Sequence, residues 1–190
     1  MALGKKYGTP LSLAYGSRVG LTNIMWQSQS GGQWCWAACT SMVLQGLGHV
    51  QGQCAVAGKI LKGKCAKTPC SKYDEAHPDC DVAYPVKYIE ALWEKFKIKA
   101  VPTMSAVGWS DVWRELNAGH PIEIFLGVSN ERGEAGHLVL LIDAVVDSMG
   151  TRVVLVADPA SKTYEVSPKE FESLRARLNW GPWAWTWTGL

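Results

Sequence analysis

The sequence predicts an α+β fold, and three observations carry that prediction. Residues 34–118 hold several segments with helical apolar spacing. Residues 119–190 are dominated by β-branched segments set apart by Gly-containing turns. No internal repeat or linker separates the two halves. Helices followed by a run of strands is the order expected of an α+β protein with an antiparallel sheet. The 190 residues read as one domain: an extended lead-in over 1–20, a mainly helical lobe over 21–118 and a mainly β lobe over 119–190.

The elements follow in chain order. Residues 1–20 are rich in Gly, Ser and Pro, and Leu21–Met25 reads as a short strand or arm. Trp34–Leu47 reads as a helix, with Ala37, Ala38, Ser41, Met42 and Gln45 at helical spacing and Gly46 and Gly48 as its stop. The small Ala37 and Ala38 let this helix lie close to a sheet. Gln53–Leu61 fits a second helix, and residues 63–81 a cysteine-stapled loop. Pro85–Phe96 is amphipathic, with Val86, Ile89, Leu92, Trp93 and Phe96 on one stripe. Lys97–Val101 reads as a short strand. Ser110–Asn117 reads as a helix with Ser110 as N-cap and Gly119 just past its end.

The second half is β in character. Pro121–Val128 is β-rich, and Ser129–Gly136 is a polar loop. His137–Val146 and Arg152–Ala157 read as strands joined by a turn at Ser148-Met149-Gly150. Ser167-Pro168-Lys169-Glu170 has the form of a capping box with proline at N1, which predicts a helix running to Arg177. Trp183-Ala184-Trp185-Thr186-Trp187 alternates, which predicts a closing strand with three indoles on one face.

Composition narrows the function. Apolar residues make up 47% and charged residues 19%, enough for a packed core and against disorder. The net charge is +2 and the lysines are dispersed, so no nucleic-acid stripe is present. The longest apolar run, Leu138–Val146, is broken by Asp143 and is too short to insert in a membrane. No apolar run follows Lys5 and Lys6, so no secretory signal peptide is read. The chain stays inside, leaves without a cleaved leader, or has its leader outside this sequence. The six cysteines all precede residue 81. Cys65, Cys70, His77 and Cys80 fit either disulfides or a closed zinc site, with disulfides the preferred reading. Disulfides favour function in an oxidising place.

The chemistry begins at Gln29-Ser30-Gly31-Gly32-Gln33-Trp34-Cys35. This order sets Cys35 at the first turn of an apolar helix, where unpaired N–H groups and the helix dipole favour the thiolate. A thiol nucleophile needs a base. Of His49, His77, His120 and His137, only His137 opens a strong strand directly after a Gly-containing loop. Asp158 ends the next strand and is the candidate to orient His137. Asp143 lies six residues from His137 on the same strand, roughly 20 Å away, and is too distant. If the hairpin turns near residue 149, Asp158 falls opposite residue 139 or 140, and only the first register turns it toward His137. Gln29 supplies a side-chain amide which, with the backbone N–H of Cys35, can hold an oxyanion. Cys39, one turn after Cys35, is a resolving thiol, a disulfide anchor to Cys54, or a buried residue.

Gln-x5-Cys-Trp-Ala, then Gly-His at a strand start, then an acid closing the following strand, resembles the papain-like cysteine peptidases. The likeness is to their compact bacterial branch: secreted or translocated effector peptidases and the double-glycine peptidases of bacteriocin exporters. Gln33 to Cys39, Gln53-Cys54, Asp158-Pro159 and the Ser-x-x-Glu-Phe at 167–171 carry it. Gln33-Trp34 stands where papains have a Gly-Ser or Gly-Ala pair. The resemblance implies a papain-like fold and a thiol endopeptidase with Cys35 as nucleophile, His137 as base, Asp158 as its orienting acid and Gln29 in the oxyanion hole. It implies no metal or cofactor. The expected partners are a protein or peptide substrate and a cognate immunity or inhibitor protein, with delivery by secretion or translocation into a target cell. Two rivals keep the fold: an acyltransferase, transglutaminase or glutamine deamidase using the same site, and a catalytically silent binding module.

Overall fold

The computed structural model describes residues 15–21, 23–61, 80–130, 133–161, 166–176 and 182–190. Its elements are β1 (Tyr15–Gly20), α1 (Cys35–Gly46), α2 (Gln53–Ile60), a 3-10 turn (Val86–Tyr88), α3 (Ile89–Lys95), β2 (Val101–Thr103), α4 (Trp109–Asn117), β3 (Ile122–Asn130), β4 (Gly133–Asp147), β5 (Arg152–Ala157), β6 (Val166–Glu170), α5 (Phe171–Ala176) and β7 (Trp183–Thr188). The fold is α+β as expected.

Among the described residues seven strands form one antiparallel sheet in the order β2-β7-β3-β4-β5-β6, with β1 paired to β4. The long β4 organises it. One edge of β4 pairs with β3 up to Leu141 and then with β1 from Asp143, while the other edge pairs with β5. Residues His137–Val145 are buried without a break. A run with no exposed alternate residue needs cover on both faces of its strand. α1 supplies part of that cover by packing on β4. Trp36 through Leu44 are all buried, so α1 is enclosed on every side rather than being a surface helix with one wet face.

Both halves of the chain contribute to the sheet. β1 comes from the lead-in and β2 from the helical region. Among the described residues the strand here is Tyr15–Gly20, and Leu21 and residues 23–25, expected in a strand or arm, lie outside it. Leu21 and Ile24 are instead buried anchors, and Leu21 donates its N–H to the Ile142 carbonyl at 2.9 Å. The strand expected at Lys97–Val101 begins at Val101, because Lys97 takes a φ of 62° that a strand excludes. α4 starts at Trp109 with Gly108, not Ser110, as its N-cap.

Three expectations in the β region are corrected. Residues 129–130 and 133–136, expected in a loop, are parts of β3 and β4. The β3–β4 ladder runs out to Asn130↔Gly133, so His137 lies within a strand and not at its start. Backbone pairing there does not depend on apolar side chains. Residues 166–170 are strand β6, paired with β5, and the helix begins only at Phe171. Pro168 can sit there because β6 is an edge strand. The three indoles of β7 do not share a face. A register shift puts Trp183 opposite Leu126 and Trp185 opposite Phe125. Trp185 and Trp187 stack at 5.9 Å, while Trp183 turns away and donates to Thr186 Oγ1 at 2.9 Å. β7 lies between β2 and β3 rather than closing the sheet.

Candidate active site

Cys35 is the first residue of α1, and Trp34 at the N-cap offers no side-chain cap. No acidic residue stands in the first turn. The N–H groups of that turn have no intrahelical acceptor, and the positive end of the helix dipole converges on the Cys35 position. The chain reaches this point through a tight turn closed by Trp34 N–H on the Gly31 carbonyl at 3.2 Å. Gly31 is required there: a Cβ would sit 2.7 Å from Asp81 Oδ1 and 2.9 Å from Trp34 Cγ.

His137 reaches the same place from β4 and is 3% exposed. The preceding Gly136 has no room for a side chain, because a Cβ would collide with the Leu126 carbonyl and the Phe125 ring. His137 Nε2–H donates to Asp158 Oδ1 at 2.6 Å. That leaves Nδ1 for the thiol, and the His137 side chain is also hydrogen-bonded to Cys35. Asp158 Oδ1 accepts a second bond, from the Ala160 N–H at 2.8 Å.

The charges favour an imidazolium. Burial alone would depress the His137 pKa. The hydrogen bonds to Asp158 and Cys35, together with their charges, outweigh it and raise the value to about 9. For Asp158 burial pushes upward, but His137, the Ala160 N–H and Lys169 hold the carboxyl below its usual range.

Gln29 stands beside this group, but its amide is engaged. Nε2 donates to the carbonyls of Gly31 and Gly32 at 2.9 and 2.8 Å, and Oε1 is buried. Donation to an oxyanion therefore requires that one of these bonds be shared or released. The backbone around Gln29 is tied to the Asp158 loop. Gln29 N–H bonds to the Pro159 carbonyl at 2.8 Å, and Trp26 Nε1 to the Asp158 carbonyl at 2.7 Å. The nucleophile segment and the acid loop thus hold each other.

The other sequence candidates go elsewhere. Cys39 is fully buried and free, with its thiol against the Leu138 carbonyl at 3.4 Å. Burial, followed by the charges of Glu123, Cys35 and Asp158, pushes its pKa well up. Cys39 and Cys54 are not joined in a disulfide, so of the readings offered for Cys39 the anchor to Cys54 is set aside. Cys65, Cys70 and His77 lie outside the described residues. Among the described residues no cluster of His, Cys, Asp or Glu has the form of a metal site. His49 is exposed, His120 pairs with Glu115 at 3.4 Å, and Asp143 pairs with Arg18.

Two contributors were given no role in the site by the sequence reading. Asp81 accepts the Gly32 and Gln33 N–H groups, and Gln53 bonds to both Ser28 and Ser30. Nothing local in the sequence around Asp81 ties it to a turn 48 residues earlier.

The comparisons bear on the family and the fold. Residues 21–182 match the sequence model of the Peptidase_C39 like family. A crystal structure of a Bacillus anthracis protein, itself only provisionally assigned as a C39-like peptidase, is similar with a TM-score of 0.57 and 15% identity. The match covers 90% of this chain and 97% of that one. At that identity the likeness is one of fold. No curated protein matches the chain.

Proposed function

From the premise that the chain belongs to the Peptidase_C39 like family, we propose that it is a cysteine endopeptidase working through Cys35, His137 and Asp158. The observation that carries this reading is the buried His137, bonded to Asp158 through Nε2 at 2.6 Å and also hydrogen-bonded to Cys35. This is the arrangement a thiol nucleophile needs: a base beside it and an acceptor that fixes the ring of the base.

The steps follow from the residues. Cys35 Sγ, its proton held on His137, attacks the scissile carbonyl carbon. The oxyanion faces the start of α1, where the Cys35 N–H points outward and Gln29 Nε2 stands next to the turn. Donors of this kind contribute ~2.7–4 kcal/mol to a transition state. The C–N bond breaks, His137 protonates the departing amine, and a thioester remains on Cys35. Water then attacks the thioester, giving its proton to His137. The acid leaves, and Cys35 and His137 return to their starting state. Asp158 keeps the ring oriented and balances its charge throughout.

We extend the proposal to the setting. A protein substrate in a target cell, export of the enzyme and a cognate inhibitor protein fit the resemblance to bacterial effector peptidases. A disulfide at Cys80 belongs to the same proposal, and it would suit function in an oxidising place.

The test is N-terminal profiling of target lysates treated with wild-type protein or Cys35→Ala. New termini that need Cys35 support the peptidase. Conjugates or +1 Da glutamines without cleavage would replace it with a transferase or deamidase. A folded protein that produces none of these, and whose Cys35 reacts with iodoacetamide no faster than an ordinary thiol, would be a binding module.

A further inference from the structure

We infer that the short segment Cys80-Asp81-Val82 is a template for the turn that carries the nucleophile, and that Asp81 is a positioning residue for the oxyanion site. The inference rests on the peptidase reading above and assigns a role to residues outside the proposed triad.

Four bonds tie residues 80–82 to residues 32–36. Asp81 Oδ2 accepts the Gly32 N–H at 2.9 Å, and Asp81 Oδ1 accepts the Gln33 N–H at 2.7 Å. The Trp34 indole donates to the Cys80 carbonyl at 2.6 Å, and the Trp36 indole to the Val82 carbonyl at 3.0 Å. The two indoles flank Cys35 in sequence, so its backbone is fixed on both sides. Trp34 and Trp36 are both about fully buried, at 1% exposure. Their N–H groups need partners, and residues 80 and 82 supply them.

The consequence reaches Gln29. Two successive backbone N–H groups bound to one carboxylate set the orientation of that turn. The Gly31 and Gly32 carbonyls then face Gln29 Nε2. Reversing the amide would set Oε1 against two carbonyl oxygens. The turn therefore holds the nitrogen, rather than the oxygen, against the Gly31-Gly32 carbonyls of the segment that leads into α1. Gln53 holds the other end of the same loop, with Oε1 on the Ser30 N–H at 2.8 Å and Nε2 on the Ser28 carbonyl at 2.7 Å. Without Asp81 the turn loses the charged acceptor that orders it, and Gln29 loses the reason for its orientation. With the turn held in place, the change the reaction asks of Gln29 is confined to sharing one of these two bonds with the oxyanion.

The test separates oxyanion binding from thiol reactivity. Iodoacetamide alkylates a thiolate by displacing iodide and forms no oxyanion. A peptide aldehyde adds the thiol across its carbonyl and places the new oxygen in the oxyanion site. Wild type, Asp81→Ala and Asp81→Asn are compared for turnover of a peptide substrate, aldehyde affinity, alkylation rate and near-UV circular dichroism. In Asp81→Ala, kcat falls about tenfold, a fraction of the ~100- to 1,000-fold cost of deleting a donor outright. KM stays within about twofold, aldehyde affinity falls in step with kcat, and alkylation is no slower than in wild type. Asp81→Asn, which keeps one acceptor oxygen, falls in between and serves alone if Asp81→Ala does not fold. Unchanged kcat and aldehyde affinity overturn the inference. So does a parallel loss of alkylation, turnover and near-UV signal, which marks a merely structural residue. If wild type neither cleaves peptides nor captures the aldehyde through Cys35, the peptidase reading itself fails and takes this inference with it.

Discussion

His137 meets Asp158, Nε2 to Oδ1 at 2.6 Å, because β4 carries one extra residue at position 142. From the turn upward, Val146 pairs with Arg152 and Asp143 with Leu155. Beyond the irregularity, Leu141 pairs with Val156 and Leu140 with Ala157. One more step along this second register sets Asp158 opposite Val139, on the face that His137 shares. Continued without the shift, the first register would set Asp158 opposite Leu140 and turn it to the other face. The Ile142 carbonyl at the bulge accepts the Leu21 N–H at 2.9 Å, so the strap that follows β1 helps to hold the shift.

The first prediction concerns pH. Peptide hydrolysis loses activity on the alkaline side as His137 deprotonates, with an apparent pKa of about 9. Asp158→Asn removes the carboxylate charge that opposes burial, so this limb moves down and kcat falls. A kcat/KM profile for the two proteins checks it. An alkaline limb unmoved by Asp158→Asn would count against the pairing.

Stability follows the same ring. The folded pKa of His137 is raised from 6.5 to about 9. Its stabilising contribution is complete below about pH 6.5 and is lost as pH rises through about 9. Guanidinium unfolding midpoints of wild type should therefore fall across this window, and those of Asp158→Asn should fall less. Equal slopes would contradict the prediction.

Gln29→Ala should lower kcat by about 100-fold or more, with KM little changed, if its amide reaches the oxyanion. Steady-state kinetics on one peptide decides this. A change confined to KM would leave Gln29 as a loop anchor only.

Gly136→Ala places a methyl against the Leu126 carbonyl and 2.8 Å from Gly127 Cα. Backbone must move, so the variant should lose about 2–3 kcal/mol of stability. It should also lose activity, because His137 follows directly. Urea denaturation beside an activity assay tests both, and a variant of wild-type stability would refute the close approach.

Glu123 is a buried carboxyl that the proposed mechanism does not use. Burial raises its pKa to about 8, against the downward pull of the Trp93 indole, which donates to it at 2.9 Å. An acid with a raised folded pKa binds its proton longer in the folded state than in the unfolded one. It therefore reduces stability progressively from about pH 4.5 to about pH 8. Glu123→Gln keeps a carbonyl acceptor for Trp93 and removes the titration. Its stability advantage should grow across that range and level off above it, as read from unfolding midpoints in a pH series. A constant difference would show that Glu123 does not titrate there.

Much of this was legible from residues alone, for local reasons. α1, α2 and α4 carry their own spacing and stops, and Gly119 closes α4 with a φ of 89° as a C′ glycine should. The turn at residues 148–150 is closed by the Asp147 N–H on the Thr151 carbonyl, with Gly150 at a φ of 82°. The misreadings were tertiary. Ser167-Pro168-Lys169-Glu170 has a sound capping pattern, yet pairing with β5 overrode it. The alternation of the Trp tail was broken by a register shift that belongs to its pairing with β3.

The sequence by itself determined the α+β order and the place of Cys35 at the start of a helix, and it singled out His137 and Asp158 as candidates among the histidines and acids. These are properties of short segments, set by side-chain period, turn residues and helix-end chemistry. Only the tertiary structure decided that Asp158 faces His137, that Gln29 is turned onto the Gly31 and Gly32 carbonyls, and that Asp81 binds the turn before Cys35. Each of these depends on a contact between distant segments or on a one-residue shift in pairing. In a sheet such a shift reverses the face of a side chain while leaving local sequence preferences unchanged.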